Sequence, residues 1–334
     1  MTTRMLDAPK AKRRREFGMN LAALALSASM IAVGFGLPAI ADDAKKVTIL
    51  ASMRSLENPF FIVMMKAIQA EATKIGGVEI IPADGQDSSA KQTADVEAAI
   101  ARHVDGILMS PADVNALVPA LEEAVAAGVA TGTIDSNANA KGLLAHVGAD
   151  NVKGGEAQGE LIKKLFPNGA TVVNLQGLPG AGPAIARNKG VHMALDGDPK
   201  YKFVVDQTAN FDRNKALSIT EAALTSLPAP PDVIVAASDD MALGAFEAVK
   251  GHGLAGKVVI IGFDGNLEAL TSIRDGGMTG TIEQFPGKQA AGALDIMVKF
   301  LREGTKPAEQ VTLLTPIVIT KDNLSDAEHF AELK

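Results

Sequence analysis

Short runs of Val and Ile without polar alternation recur along the chain, and each leads into an Ala-rich stretch whose apolar residues return every three or four positions. The runs are VTILAS, VEIIPA, DGILMSP, GVATGTID and LLAHVGAD, then ATVVNLQG, YKFVVDQ, DVIVAAS, KVVIIGFDG and MTGTIEQ. A run without alternation suits a strand buried on both faces, and strands alternating with helices imply parallel sheets made of βαβ units. There are more strands here than one compact sheet holds at this length. The pattern predicts an α/β protein of two similar lobes, each a doubly wound parallel sheet.

The first helix shows how the pattern reads locally. From Pro59 onward, Phe61, Met64, Met65, Ile68, Ala72 and Ile75 keep three-four spacing and stop before Gly76-Gly77, which predicts one buried face and a glycine stop. Asn58 falls at the N-cap, and Pro59 at the first helical position, where a missing N–H costs nothing. Phe60 lies off the stripe. The chain has one Tyr, no Trp and twelve Phe, so adjacent rings raise a question: either both belong to the core, or one marks a site.

Residues 1–41 are set apart by composition. KAKRRREF is a basic region, LAALALSASMIAVGF an apolar one, and Ala39-Ile40-Ala41 a small-x-small cleavage pattern, which together read as an export signal cleaved after Ala41. An uncleaved membrane anchor is the alternative, and Pro38 with the cleavage pattern argues against it. RREF suggests the twin-arginine route, but Gly18 and Met19 follow where that pattern wants an apolar residue and a Lys, so the route stays open. Setting aside 41 of the 334 residues leaves 293, with 26 Lys/Arg and 37 Asp/Glu, and shifts the formal charge from −7 to −11. An acidic chain without basic runs is a poor partner for nucleic acid or an anionic membrane surface. With no Cys, neither disulfides nor a lipid-anchored cysteine can form. A length of 293 residues suits two domains.

Ligands of open α/β sheets bind beyond the carboxyl ends of strands. The polar and aromatic residues there are Asn58, Phe60 and Phe61; Ser110; Asp135 and Ser136; Phe211; Ser238; Asp264; and Gln284, with Arg187 in the glycine-rich turn GLPGAGPAIARNKG. Asp212 and Asp239 read as caps of the helices that follow them. A sugar or polyol suits this set. Its vicinal hydroxyls match Asp, Asn, Gln and Arg, while its C–H face packs on Phe rings. Simpler roles stand beside this one: Asn58 as a cap, Phe61 as core, and Asp135 and Asp264 in a structural ion pair with Arg187.

Enzymatic motifs are missing. There is no H-E-x-x-H, P-loop or G-x-S-x-G, and the five His are scattered, so neither a cofactor nor a metal is expected. GLPGAGPA departs from the dinucleotide fingerprint and reads as a turn, as does DGDP at Asp196–Pro199.

NPFF, SPAD, TIDSNA, GADNVKGGEAQGE, NLQGLPG, ARNKG, ANFDRNKAL, SDDMALGAFEAV, VVIIGFDG and GTIEQFPGKQAAGA occur in the order and spacing of periplasmic ribose-type sugar-binding proteins. The chain thus resembles the solute-binding components of ABC transporters with the periplasmic binding protein type I fold. The resemblance implies a periplasmic receptor, not an enzyme, with its ligand between lobes of residues 42–149 plus 285–313 and 150–284 plus 314–334. Crossings fall near Ala149, Gln284 and Leu313. It implies ligand contacts from Asn58, Phe60, Phe61, Asp135, Arg187, Phe211, Asp264 and Gln284, a permease as partner, and a chemoreceptor as a further candidate. Three positions depart from the ribose pattern: Ser110 and Ser238 stand where Asn is usual, and Ser136 where Arg is usual. These shorter side chains predict a larger or wetter pocket for another pentose, a hexose, an inositol or a linear polyol. One Arg facing two carboxylates argues against a sugar acid. A sugar-responsive regulator shares the core fold, but the export signal occupies the place of its DNA-binding helices; a sugar-processing enzyme acting through the two aspartates is a further alternative.

Overall fold

The computed structural model describes residues 45–333; the export signal read in residues 1–41 lies outside them. The first sheet contains β1 (Val47–Met53), β2 (Val78–Asp84), β3 (Gly106–Met109), β4 (Ala130–Ile134) and β5 (His146–Ala149). The second contains β6 (Ala170–Gln176), β7 (Tyr201–Thr208), β8 (Val233–Ala236), β9 (Val259–Ile261) and β10 (Gly280–Glu283). Two short strands, β11 (Val311–Leu314) and β12 (Ile317–Thr320), complete them. The strand orders are β11-β5-β4-β3-β1-β2 and β12-β10-β9-β8-β6-β7. All pairings are parallel except that of β12 with β10.

The strands are uniformly apolar because both faces are covered. Ile49 and Met53 of β1 pack with α1 (Pro59–Ile75) and α9 (Pro286–Glu303). Leu50, between them, faces α2 (Ser89–Ala101) and α3 (Val118–Ala126). Likewise, Val172 of β6 packs with α4 (Asn151–Leu165) and α5 (Gly182–Leu195), whereas Val173 faces α6 (Arg213–Ser226) and α7 (Asp239–Gly251). Successive residues of one strand thus enter different cores. Each fully buried aliphatic side chain contributes about 1.5–3 kcal/mol. The remaining helix, α8 (Leu267–Asp275), flanks β10.

Helix α1 begins as its sequence indicates: Asn58 Oδ1 accepts from the Phe60 N–H at 2.9 Å. It ends at Gly76, whose φ of 73° and ψ of 150° leave the helix, a conformation glycine adopts without steric cost. Strands β11 and β12 had no counterpart among the apolar runs. Together they form VTLLTPIVIT, whose two halves join different sheets across Thr315-Pro316.

The chain passes between the sheets three times: from β5 to α4, from β10 to α9, and from β11 to β12. All three passages lie at the lobe boundary. β1 is flanked by β2 and β3, and β6 by β7 and β8, so each sheet has a topological switch point, where the loops leaving neighbouring strands diverge and open a crevice.

Candidate binding site

Between the lobes lies a cavity of about 20 Å³ lined by Arg54, Asn58, Phe60, Phe61, Asp135, Pro183, Arg187, Phe211, Ser238, Asp264 and Gln284. Larger grooves of about 440 and 430 Å³ exist, but neither gathers opposed carboxylates and guanidinium groups. The small cavity has room for about one water molecule, so a sugar ring enters only when the lobes part.

The second-lobe wall is a connected network around Arg187, which is 3% exposed. Its Nε donates to Asn151 Oδ1 at 2.8 Å, Nη1 to Ala237 O at 2.7 Å and Asp264 Oδ1 at 3.1 Å, and Nη2 to Gln284 Oε1 at 3.2 Å. The guanidinium also lies 3.7 Å from the Phe263 ring centroid. Gln284 Nε2 donates to Asp264 Oδ1 at 2.7 Å. Asn151 and Gln284 stand at two of the three passages between lobes, so one side chain ties the cavity wall to the hinge.

Behind Asp264 lies Asp239. It does not cap α7, as its sequence position had suggested. The cap is Ser238, whose hydroxyl accepts from the Met241 N–H. Asp239 is fully buried, accepting from Thr281 Oγ1 at 2.6 Å and from the Asn266 N–H at 2.8 Å. It fastens the loop that carries Asp264. Asp212, by contrast, does cap its helix, accepting from the Lys215 N–H at 2.6 Å. Burial pushes Asp264 up to about 7, outweighing the pull of Arg187. Burial and the neighbouring Asp264 carboxylate raise Asp239 well above its ordinary value.

The first-lobe wall is aromatic, with fewer internal bonds. Phe60 and Phe61, each 3% exposed, meet edge to face with centroids 5.2 Å apart. Both rings belong to the core cluster and both line the cavity. Among the described residues, Asp135 accepts one side-chain hydrogen bond, from Ser110 Oγ at 3.0 Å. Burial raises its carboxyl, with Arg187 and Arg54 pulling the other way. Asp135, Phe211 and Asp264 all have left-handed or otherwise positive φ (61°, 60° and 126°). Such conformations cost about 1–3 kcal/mol each and gather at functional sites.

Of the three serines, only Ser238 lines the cavity. Ser110 stands behind Asp135, and the buried Ser136 Oγ has no hydrogen-bond partner among the described residues. Two lining residues escaped the sequence reading, Arg54 and Pro183. Arg54 directly follows β1 and would have met the strand-end criterion that selected Asn58. It also corrects the charge balance: two guanidiniums, not one, act on Asp135, while Asp264 pairs with Arg187 and Arg54 with Asp87.

The lobes touch at the cavity rim. The Val114 N–H donates to Gly180 O across the cleft at 3.1 Å. A Cβ at Gly180, whose φ is 88°, would stand 2.1 Å from Asp113 Oδ2. Among the described residues there is no cluster of potential metal ligands and no helix long and apolar enough to cross a membrane.

Residues 49–306 match the profile of the periplasmic binding protein domain. The ribose import binding protein of Bacillus subtilis is 40% identical over 261 residues, 77% of this chain and 84% of the relative. The solved structure of a Caulobacter myo-inositol binding protein, bound to myo-inositol, is 41% identical with a TM-score of 0.82, covering 86% of this chain and 97% of the other. An Actinobacillus succinogenes solute binding protein with bound D-allose is 32% identical, with a TM-score of 0.78 over 84% and 100% of the two chains.

Proposed function

Because this chain belongs to the periplasmic binding protein family, we propose that it captures a neutral cyclic polyol or sugar between its lobes and delivers it to the permease of an ABC importer. It acts by binding, not by turnover. The observation that carries this is one cleft to which both lobes bring rings and polar groups: Phe60, Phe61 and Phe211 for a C–H face, and Asp135, Asp264, Asn58, Gln284 and Arg187 for hydroxyls. Hinge closure, the motion for which periplasmic binding proteins are the standard example, follows when a ligand touches both walls and so binds the closed form better than the open one.

Within this class, a six-membered cyclic polyol such as myo-inositol fits better than ribose. Ser136 offers no guanidinium beside Asp135, and Arg54 brings one from another strand. The relatives at 40% and 41% identity are named for different ligands, so the site residues carry this choice. Export follows from the leader in residues 1–41, and the intact mass of periplasmic protein checks cleavage after Ala41.

A thermal-shift panel of myo-inositol, ribose, allose, glucose and xylitol tests the proposal. Ligand at a hundred times its Kd stabilises the folded chain by about 2.7 kcal/mol, with myo-inositol expected to give the largest shift. A panel that moves nothing, or turnover of a bound sugar, overturns it.

A further inference from the structure

Arg54 is 6% exposed, yet among the described residues none of its N–H groups makes a hydrogen bond to protein. Its Nε lies 2.9 Å from Asp87 Oδ1 as an ion pair, but the N–H is misaligned with that oxygen and remains unsatisfied. Asp87 is at the rim, with its side chain 48% exposed. The guanidinium itself sits between rings of both lobes, 5.1 Å from the Phe61 centroid and 4.4 Å from that of Phe211. Aromatic faces attract the cation but satisfy few of its donors. A buried donor without a partner costs about 1–3 kcal/mol, and a planar fork of donors matches two adjacent oxygens.

The geometry points to Arg54 as a ligand-recognition residue that clamps a vicinal diol and, through Phe211, couples that diol to closure of the lobes. This rests on the polyol-binding reading above and deepens it. Opening the lobes removes the Phe211 ring from the guanidinium. A diol bound to Arg54 holds the fork in the plane that the second ring needs, so each contact favours the other. Because Arg54 already faces the carboxylates of Asp87 and Asp135 while Asp264 pairs with Arg187, the clamp serves an uncharged diol.

The test compares wild type with Arg54→Met and Arg54→Lys, using calorimetric Kd values and stopped-flow dissociation rates for the best ligand of the panel. Met keeps an apolar stem between the rings and removes the fork. Its Kd is expected to rise about ten- to a hundredfold, mainly through faster dissociation. Lys, a point charge, is expected to recover only part of the loss. Asp87→Asn, which removes the rim partner, is expected to change Kd less than fivefold. A Met variant that folds and binds within twofold of wild type overturns the assignment, as does full recovery by Lys. If Met does not fold, Lys alone decides, wild-type affinity being the overturning result. A wild-type chain that binds no member of the panel overturns the underlying reading as well, whereas binding by wild type with an unaffected Met variant overturns only the role of Arg54.

Discussion

Arg187 and Arg54 both reach the cavity and both are buried, yet among the described residues Arg187 donates to four protein acceptors and Arg54 to none. The second-lobe wall is therefore internally bonded, its carboxylate, amide and guanidinium holding one another in place. The first-lobe wall has rings in place, but Asp135 and Arg54 retain unused bonding capacity. This difference teaches that the two halves serve unlike purposes: one wall is a fixed template linked to the hinge, the other a surface completed by ligand and closure.

Removing the template's centre is expected to have the largest effect. Arg187→Met leaves Asp264 buried without its cation, which costs about 3–5 kcal/mol; a fall in the denaturant midpoint checks it, together with lost binding. An unchanged midpoint would mean that the second wall is no more committed than the first. Next comes Asp264→Ala. It relieves the repulsion with Asp239 while Arg187 keeps Asn151, Ala237 and Gln284, so the fold survives and ligand affinity falls by more than a hundredfold in calorimetry. Near-normal affinity would return Asp264 to a purely structural role.

A pH series sharpens the comparison further. Asp264 is pushed up to about 7 from its ordinary 3.8, so the folded chain keeps a proton that the unfolded chain releases. This contribution to stability is present in acid and is lost as pH rises from 3.8 to about 7. Ligand hydroxyls donate to the ionised carboxylate, so affinity moves the other way. Kd is expected to tighten by up to about tenfold between pH 6 and 8, and Asp264→Asn to abolish that slope. His146, lowered to about 4 by burial, loses stability as pH falls below its ordinary 6.5. The difference between wild type and Asp264→Asn separates the two. The smallest effect is expected at Ser136→Ala. Its hydroxyl is buried without a partner, so stability should rise by about 1 kcal/mol while Kd changes less than threefold; a larger loss of affinity would put that hydroxyl on the ligand.

Much of this was legible beforehand. Helix α1 could be drawn from Asn58 to Gly76 because its cap, its proline and its glycine stop are local. Asp135, Phe211 and Asp264 could be collected because parallel sheets place ligands at strand ends, whereas Arg187, read in a glycine-rich turn, lies within α5 because Gly182 and Pro183 open a helix there. VTLLTPIVIT could not be divided, since two short apolar halves become strands of different sheets only through partners far away in the chain. Asp239 was misread for a similar reason. A carboxylate at a helix start is a cap by default, and only the approach of Thr281 and Asn266 makes it a buried fastening instead.

The order of residues by itself determined the alternation of strand and helix, the two-lobe plan and the types of side chain at the strand ends, because these depend on periodicity and on chemistry within a few residues. The tertiary structure decided that Arg54 lies between rings of both lobes without hydrogen bonds, that Arg187 holds the hinge, and that the closed cavity measures about 20 Å³. These are properties of contacts between segments distant along the chain, and their burial and pairing exist only once the two sheets face one another.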